Sequence, residues 1–283
     1  MKKSEINIRD PFILKENGVY YLYGTRGANF GVKVNGFDVY TSTDLEEWSA
    51  PIPCFTCEDY AMNAGVSWAP EVHRYQGAFY LFATFTQPNG LRGTYCLRAE
   101  TPEGPFVPHS KGALTPTDWE CLDGTLFVQD GVPYLVFCHE HTQIINGTIC
   151  YLRLKPDLTA AEGDPMLLFH GDDPFFVPRL PAGEHYVTDG PFLFRFRGRL
   201  FMLWSTILSN QYAQCLAEFL DGRLDGRLAH LPPLITDDGG HGMIFEADGV
   251  PTLTFHSPNR SGTERPQFLP LAPLMDAVLS KSE

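Results

Sequence analysis

The sequence predicts a five-bladed β-propeller, on three observations. It contains five internal repeats, each repeat carries an X-Gly turn at its centre, and the composition is rich in aromatics and turn formers. The repeats are RDPFILKENGVYYLYGT (9–25), WAPEVHRYQGAFYLFATF (68–85), LDGTLFVQDGVPYLVFCH (122–139), TDGPFLFRFRGRLFMLWS (188–205) and GHGMIFEADGVPTLTFHS (240–257). Self-similarity at such a period marks a repeat architecture. Two apolar runs around Asn-Gly, Gln-Gly, Asp-Gly or Arg-Gly read as a β-hairpin, because Gly and Asn accept positive φ at little cost. The chain has 21 Phe, 12 Tyr, 26 Gly and 23 Pro, a balance that favours short strands joined by tight turns.

Each repeat opens with a small or polar residue before Pro or Gly, continues as a short apolar strand, turns, and returns as a strand rich in Tyr, Phe and Leu. The openings Asp10, Ala69, Asp123, Asp189 and His241 lie roughly 52–66 residues apart, which suits a four-stranded blade with generous loops. Five repeats imply five blades about a central channel. No linker or low-complexity segment divides the chain, so residues 1–283 are expected to form one domain. The two ends must meet to close the ring. No strong helix signature is present, although the tail DAVLSKSE could form a short helix.

In a propeller the first strand of each blade lines the channel. Equivalent positions in the repeats must then cluster at one mouth, and Asp10, Asp123 and Asp189 are expected to converge there. Ionised carboxylates so close repel one another, which raises at least one pKa and leaves an acid beside a base. That pair is what glycoside hydrolysis requires: one carboxyl protonates the leaving oxygen while the other activates water or attacks the anomeric carbon. Taken singly, each Asp is a turn former; the recurrence in three repeats gives the set its meaning. His241, in the Gly-rich run DDGGHGM, is aimed down the channel, where it could hold ordered water or a calcium ion, although calcium prefers oxygen ligands.

Trp68 precedes the second opening and is placed to stack on a sugar. Phe30 follows the first hairpin in a Gly-rich loop and is a candidate lid. Glu140 ends the second strand of the third repeat between His139 and His141, in a polar cluster on the mouth side. Its reach and polar neighbourhood make it the reserve acid, whereas a place at the far end of its hairpin from the opening residues counts against it. HEH lacks the spacing of a zinc protease. Arg265, in TERP, could reach a sugar hydroxyl or pair with a carboxylate.

Composition narrows the partners. The formal net charge is −13, which repels phosphate backbones and anionic membrane surfaces but not a neutral sugar. No apolar run of about 18 residues suggests a membrane span. The opening MKKSEINIRDPF has no signal-peptide core. Of seven Cys, Cys54 and Cys57 form one CFTC pair without the second pair a zinc site needs. Others, such as Cys96, Cys138, Cys150 and Cys215, fall in strand-like runs and are expected to be buried free thiols. The expected compartment is a reducing cytoplasm.

The motifs RDP (9–11), WAPE (68–71), LDGTLF (122–127), TDGP (188–191) and GHG (240–242) resemble those of glycoside hydrolase family 43 over nearly the whole chain, with small α-L-arabinofuranosidases as the nearest branch. The resemblance implies a five-bladed propeller and an inverting hydrolase. It assigns Asp10 as general base, Asp123 as the residue that tunes and orients the acid, and Asp189 as general acid. His241 matches an axial His often associated with calcium. Asp189 departs from the family's usual Glu and has about 1.5 Å less reach, whereas proton donation needs contact at roughly 2.6–3.2 Å. The expected activity is exo-acting release of arabinofuranosyl units. The alternatives are a β-xylosidase, a phosphorylase, which the three acids disfavour, and a non-catalytic sugar-binding propeller.

Overall fold

The computed structural model describes residues 1–27, 35–60 and 65–280. They form five antiparallel sheets. Blade 1 comprises β1 (Ile8–Glu16), β2 (Val19–Arg26), β3 (Gly36–Ser42) and β4 (Ile52–Thr56). Blade 2 comprises β5 (Ser67–Tyr75), β6 (Ala78–Thr86), β7 (Arg92–Ala99) and β8 (Val107–Pro108). Blade 3 runs through β9 (Cys121–Gln129), β10 (Val132–His139), β11 (Thr148–Leu154) and β12 (Ala161–His170). Blade 4 runs through β13 (Asp189–Phe196), β14 (Arg199–Leu208), β15 (Gln211–Phe219) and β16 (Leu228–Ile235). Blade 5 has three strands, β17 (Gly240–Ala247), β18 (Val250–Ser257) and β19 (Arg265–Pro270).

The first strand of each blade is innermost. β1, β5, β9, β13 and β17 touch in ring order, and β17 returns to β1. The ends are fastened by side chains. Arg9 Nη1 meets Glu264 Oε1 at 3.0 Å, Asn7 Nδ2 donates to Glu264 O at 2.9 Å, and Arg265 Nε donates to Ser4 O at 2.7 Å. The C-terminal helix starts earlier than the tail suggested, at Leu271, and runs to Leu279. Its buried Leu271, Met275 and Val278 pack with Leu231 and Phe255 on the outer side of blades 4 and 5. Between blades the core is aromatic: Phe37 and Phe85 pack between blades 1 and 2, and Phe169 against Trp204 between blades 3 and 4. Each such buried side chain contributes about 1.5–3 kcal/mol.

The turn joining the first two strands has the same form in all five blades. Asn17, Gln76, Asp130, Arg197 and Asp248 have φ of 51, 46, 53, 49 and 49° respectively, and each is followed by a Gly near φ +80°. Two consecutive positive φ angles define the type I′ turn, whose twist matches that of the strands it joins.

At the opposite end, the mouth, every inner strand carries a bulge with one left-handed residue. These are Asp10 (φ 53), Ala69 (φ 47), Asp123 (φ 56), Gly190 (φ 51) and His241 (φ 52). The residues just before them pair with the second strand as Arg9–Thr25, Trp68–Thr84, Leu122–Cys138, Asp189–Ser205 and Gly240–His256. This corrects the repeat alignment at one place. Gly190, not Asp189, is equivalent to Asp10 and Asp123, and Asp189 is equivalent to Arg9 and Trp68. Pro191 then matches Pro11 and Pro70.

Candidate active site

The five bulges converge on a cavity of about 180 Å³ at the mouth, lined by Asp10, Trp68, Arg92, Asp123, Glu140 and Asp189 together with Arg9, Leu122, His141, Tyr212 and His241. That is below the roughly 300–1,000 Å³ of sites for drug-sized ligands, and suits a single small ring. A left-handed bulge costs a non-Gly residue strain, and such strain concentrates at functional sites. Here it turns the Asp10, Asp123 and His241 side chains toward one another. Gly190 stands where a Cβ would meet the His241 ring at 2.7 Å. A side chain there would displace His241.

Asp10 is held as an anion. Its Oδ1 lies 3.1 Å from His241 Nδ1, and its Oδ2 accepts from Thr25 Oγ1 at 2.6 Å. Its backbone N–H donates to His256 Nδ1 at 3.1 Å. Burial by itself pushes a carboxylic acid up, but the charges of His241 and Arg9 outweigh it and hold Asp10 well below the usual carboxylate range. Burial lowers His241, yet Asp10 and Asp123 carry it up to about 10, so it is an imidazolium at neutral pH. His256 is driven down to about 3 by burial and stays neutral, as its acceptor role toward Asp10 N–H requires.

Asp123 and Asp189 form the opposite kind of pair. Asp123 Oδ2 accepts the Gly190 N–H at 3.1 Å and lies 3.8 Å from His241 Nδ1. Burial raises Asp123 to about 6 against the pull of His241. Asp189 is raised to about 8 by burial and by the carboxylates of Asp123 and Glu140. Its Oδ2 accepts from Tyr212 Oη at 3.1 Å. At neutral pH the site therefore carries an ionised Asp10 and a protonated Asp189.

Glu140 lies at the mouth because β10 runs antiparallel to β9. The expectation that it sits at the far end of its hairpin from the opening residues fails on that geometry. Its Oε2 is 2.8 Å from Arg92 Nη2 and its Oε1 is 3.0 Å from His141 Nε2. Arg92 is also bound to Glu120, and its guanidinium covers the Trp68 ring at 5.1 Å. Trp68 is in the wall, as expected. Arg265 is not: its guanidinium is spent on the carbonyls of Ser4 and Glu264, where it ties the chain's first residues to β19. Phe30 lies outside the described residues.

The axial calcium ion expected from His241 finds a poor donor set. No group of three or more His, Cys, Asp or Glu able to hold a metal occurs among the described residues. The Nδ1 of His241 is committed to two carboxylates. The hollow lined by His241, Asp10, Ala69 and Glu71 is about 10 Å³, the volume of one water rather than of an ion with six to eight ligands.

Arg9, Arg92, Tyr212 and His256 were not singled out by sequence. Arg9 was in view within RDP. Arg92 and Tyr212 come from the starts of third strands, which carry no repeat.

Comparison with known proteins agrees with this arrangement. The model of the glycosyl hydrolases family 43 matches residues 4–218, and the chain belongs to that family. A solved endo-arabinase from Bacteroides thetaiotaomicron VPI-5482 is 37% identical, with 95% of this chain and 96% of that chain covered and a TM-score of 0.86. An α-L-arabinofuranosidase from Lactobacillus brevis is 17% identical over 93% of this chain and 90% of its own, with a TM-score of 0.70, a likeness of fold. Alpha-L-arabinofuranosidase 43 from Humicola insolens is 26% identical over 60% of this chain. The matched stretch spans about a third, 34%, of that relative's length.

Proposed function

We propose that this protein is an inverting, exo-acting glycoside hydrolase that releases terminal α-L-arabinofuranosyl residues from arabinan- or arabinoxylan-derived oligosaccharides. One observation carries the reading: a pocket sized for one ring holds two carboxyls driven to opposite charge states, Asp10 far down and Asp189 up to about 8. Titratable groups pushed apart in this way mark acid and base. The runner-up sugar is xylose, as for a β-xylosidase.

In the mechanism, Asp189 gives its proton to the glycosidic oxygen as the bond to the anomeric carbon breaks. A water on the opposite face attacks that carbon and passes a proton to Asp10. The water becomes strongly acidic as its oxygen bonds to the oxocarbenium-like centre, so a carboxylate of low basicity still accepts its proton. Asp123, ionised and held by the Gly190 N–H, keeps the Asp189 proton in place by its negative charge. His241 stays an imidazolium that fixes both Asp10 and Asp123. Trp68, stiffened by Arg92, offers the sugar an apolar face. The poor donor set leaves calcium no step here. A neutral sugar partner, and a reducing cytoplasm as the setting, fit the net charge of −13 and the seven buried free thiols.

A second reading has its own support. The 37% identical protein is described as an endo-arabinase, so internal cleavage of arabinan is the competing mode. The test is a panel of p-nitrophenyl pentosides together with linear arabinan, followed by proton NMR of the first product. The proposal expects arabinofuranoside cleavage, arabinose as the sole early product, and inversion at the anomeric carbon. Early oligosaccharides from linear arabinan would assign endo-action, and preference for the xyloside would reassign the sugar.

A further inference from the structure

The mouth is held by a belt of hydrogen bonds that passes from blade to blade, and it is broken once. The second strand of each blade places one residue opposite the position before the bulge: Thr25, Thr84, Cys138, Ser205 and His256. Four of these accept the N–H of the next blade's left-handed residue. Thr25 Oγ1 takes Ala69 N–H at 2.7 Å, Thr84 Oγ1 takes Asp123 N–H at 2.9 Å, Ser205 Oγ takes His241 N–H at 2.8 Å, and His256 Nδ1 takes Asp10 N–H at 3.1 Å. The fifth place is Cys138. The N–H it faces by this symmetry, that of Gly190, goes instead to Asp123 Oδ2 at 3.1 Å.

We propose that Cys138 is a positioning residue: as the belt's one weak acceptor, it leaves the Gly190 N–H to the Asp123 carboxylate and so fixes that carboxylate beside Asp189. This rests on the role given to Asp123 above. A thiol is a poor acceptor beside a hydroxyl or an imidazole nitrogen, whereas a hydrogen bond to an ionised carboxylate is shorter and stronger than a neutral one. The Cys138 side chain is fully buried. Because the bonded N–H favours the charged form of Asp123, the gap in the belt keeps Asp123 ionised where burial opposes it. The consequence for the reaction is a wider pH range in which Asp123 is charged while Asp189 keeps its proton.

The test replaces sulfur by oxygen. Cys138→Ser supplies the hydroxyl found in the other blades, which competes for the Gly190 N–H. Cys138→Ala removes the sulfur and supplies no acceptor. If serine leaves the fold unstable, Cys138→Thr repeats the arrangement of blades 1 and 2. The readouts are the pH profile of kcat/KM on an aryl arabinofuranoside and the Gly190 amide resonance in protein labelled with ¹⁵N-glycine.

In Cys138→Ser the acidic limb should move up by about one pH unit, a roughly tenfold loss of kcat/KM on that limb, and the Gly190 amide should move upfield and cease to titrate with Asp123. In Cys138→Ala the limb should stay in place. A serine variant with the wild-type limb and amide shift overturns the proposal, and so does an alanine variant that shifts as far as serine. Asp123→Asn separates the two readings. If it keeps wild-type activity and profile, the role of Asp123 falls and this proposal with it. If it is crippled while Cys138→Ser is unchanged, only the role of Cys138 falls.

Discussion

Blades 1 and 4 open on the same backbone bulge but offer their carboxyls from different places on it. In blade 1 the sequence is Arg9-Asp10-Pro11, and the acid stands on the left-handed residue. In blade 4 it is Asp189-Gly190-Pro191, and the acid stands one residue earlier. That step changes the company each carboxyl keeps. Asp10 is turned among His241, His256 and Arg9, while Asp189 faces Asp123, Glu140 and the neutral Tyr212. Burial is shared, so the sign of the neighbouring charge decides the outcome. One repeated backbone thereby presents an ionised and a protonated carboxyl to one small cavity.

The comparison breaks most visibly if the two residues prove interchangeable. Asp10→Asn is expected to lower hydrolysis of natural oligosaccharides and of a dinitrophenyl glycoside alike, by about 10²–10⁴-fold, the range of general acid–base catalysis. Asp189→Asn should lose a similar factor on the oligosaccharide and far less on the dinitrophenyl glycoside, whose leaving group departs with little protonation. If Glu140→Gln gave that leaving-group pattern instead, Glu140 would be the acid despite its pairing with Arg92 and His141.

The pH profile sharpens the same contrast. Asp123 and Asp189 titrate as a coupled pair, with steps near 6 and 8. Activity should rise through the first step, as Asp123 ionises, and fall through the second, as Asp189 loses its proton. Stability carries the matching sign. A carboxyl whose folded pKa is raised binds its proton more tightly when folded, so its contribution is favourable at low pH and declines from about pH 4 up to about pH 8. Asp189→Asn should therefore raise the melting temperature more at pH 9 than at pH 5. A smaller effect is expected of Tyr212→Phe. Tyr212 donates to the ionisable oxygen of Asp189, so its loss should move the alkaline limb upward and lower kcat a few-fold, leaving the acidic limb in place.

Much of this was legible in sequence, for identifiable reasons. The X-Gly turns report φ requirements directly, and all five became type I′ turns. Asp10, Asp123 and His241 were legible because each precedes a Pro or Gly at a repeat opening. Asp189 was drawn into the cavity for the wrong reason. TDG can be aligned with LDG by its Asp or with RDP by its Pro, and only strand pairing decides for the Pro. Arg92 and Tyr212 were illegible because third strands follow loops of unequal length, so no repeat marks their starts. Arg265 was not legible because nothing local in TERP shows that its guanidinium goes to the main-chain carbonyls of Ser4 and Glu264, the first of which is 261 residues away.

The central claim is that Asp10 is ionised and Asp189 protonated in the same pocket at neutral pH. It is tested most directly by ¹³C NMR of protein labelled at the aspartate carboxyl carbons, with Asp10→Asn and Asp189→Asn spectra assigning the two resonances across pH 4–10. The account predicts that the Asp189 carbon keeps its protonated shift through pH 7 and titrates near 8, while the Asp10 carbon shows the ionised shift throughout. An Asp189 carbon already ionised at pH 6, or an Asp10 carbon that titrates near neutrality, would contradict it.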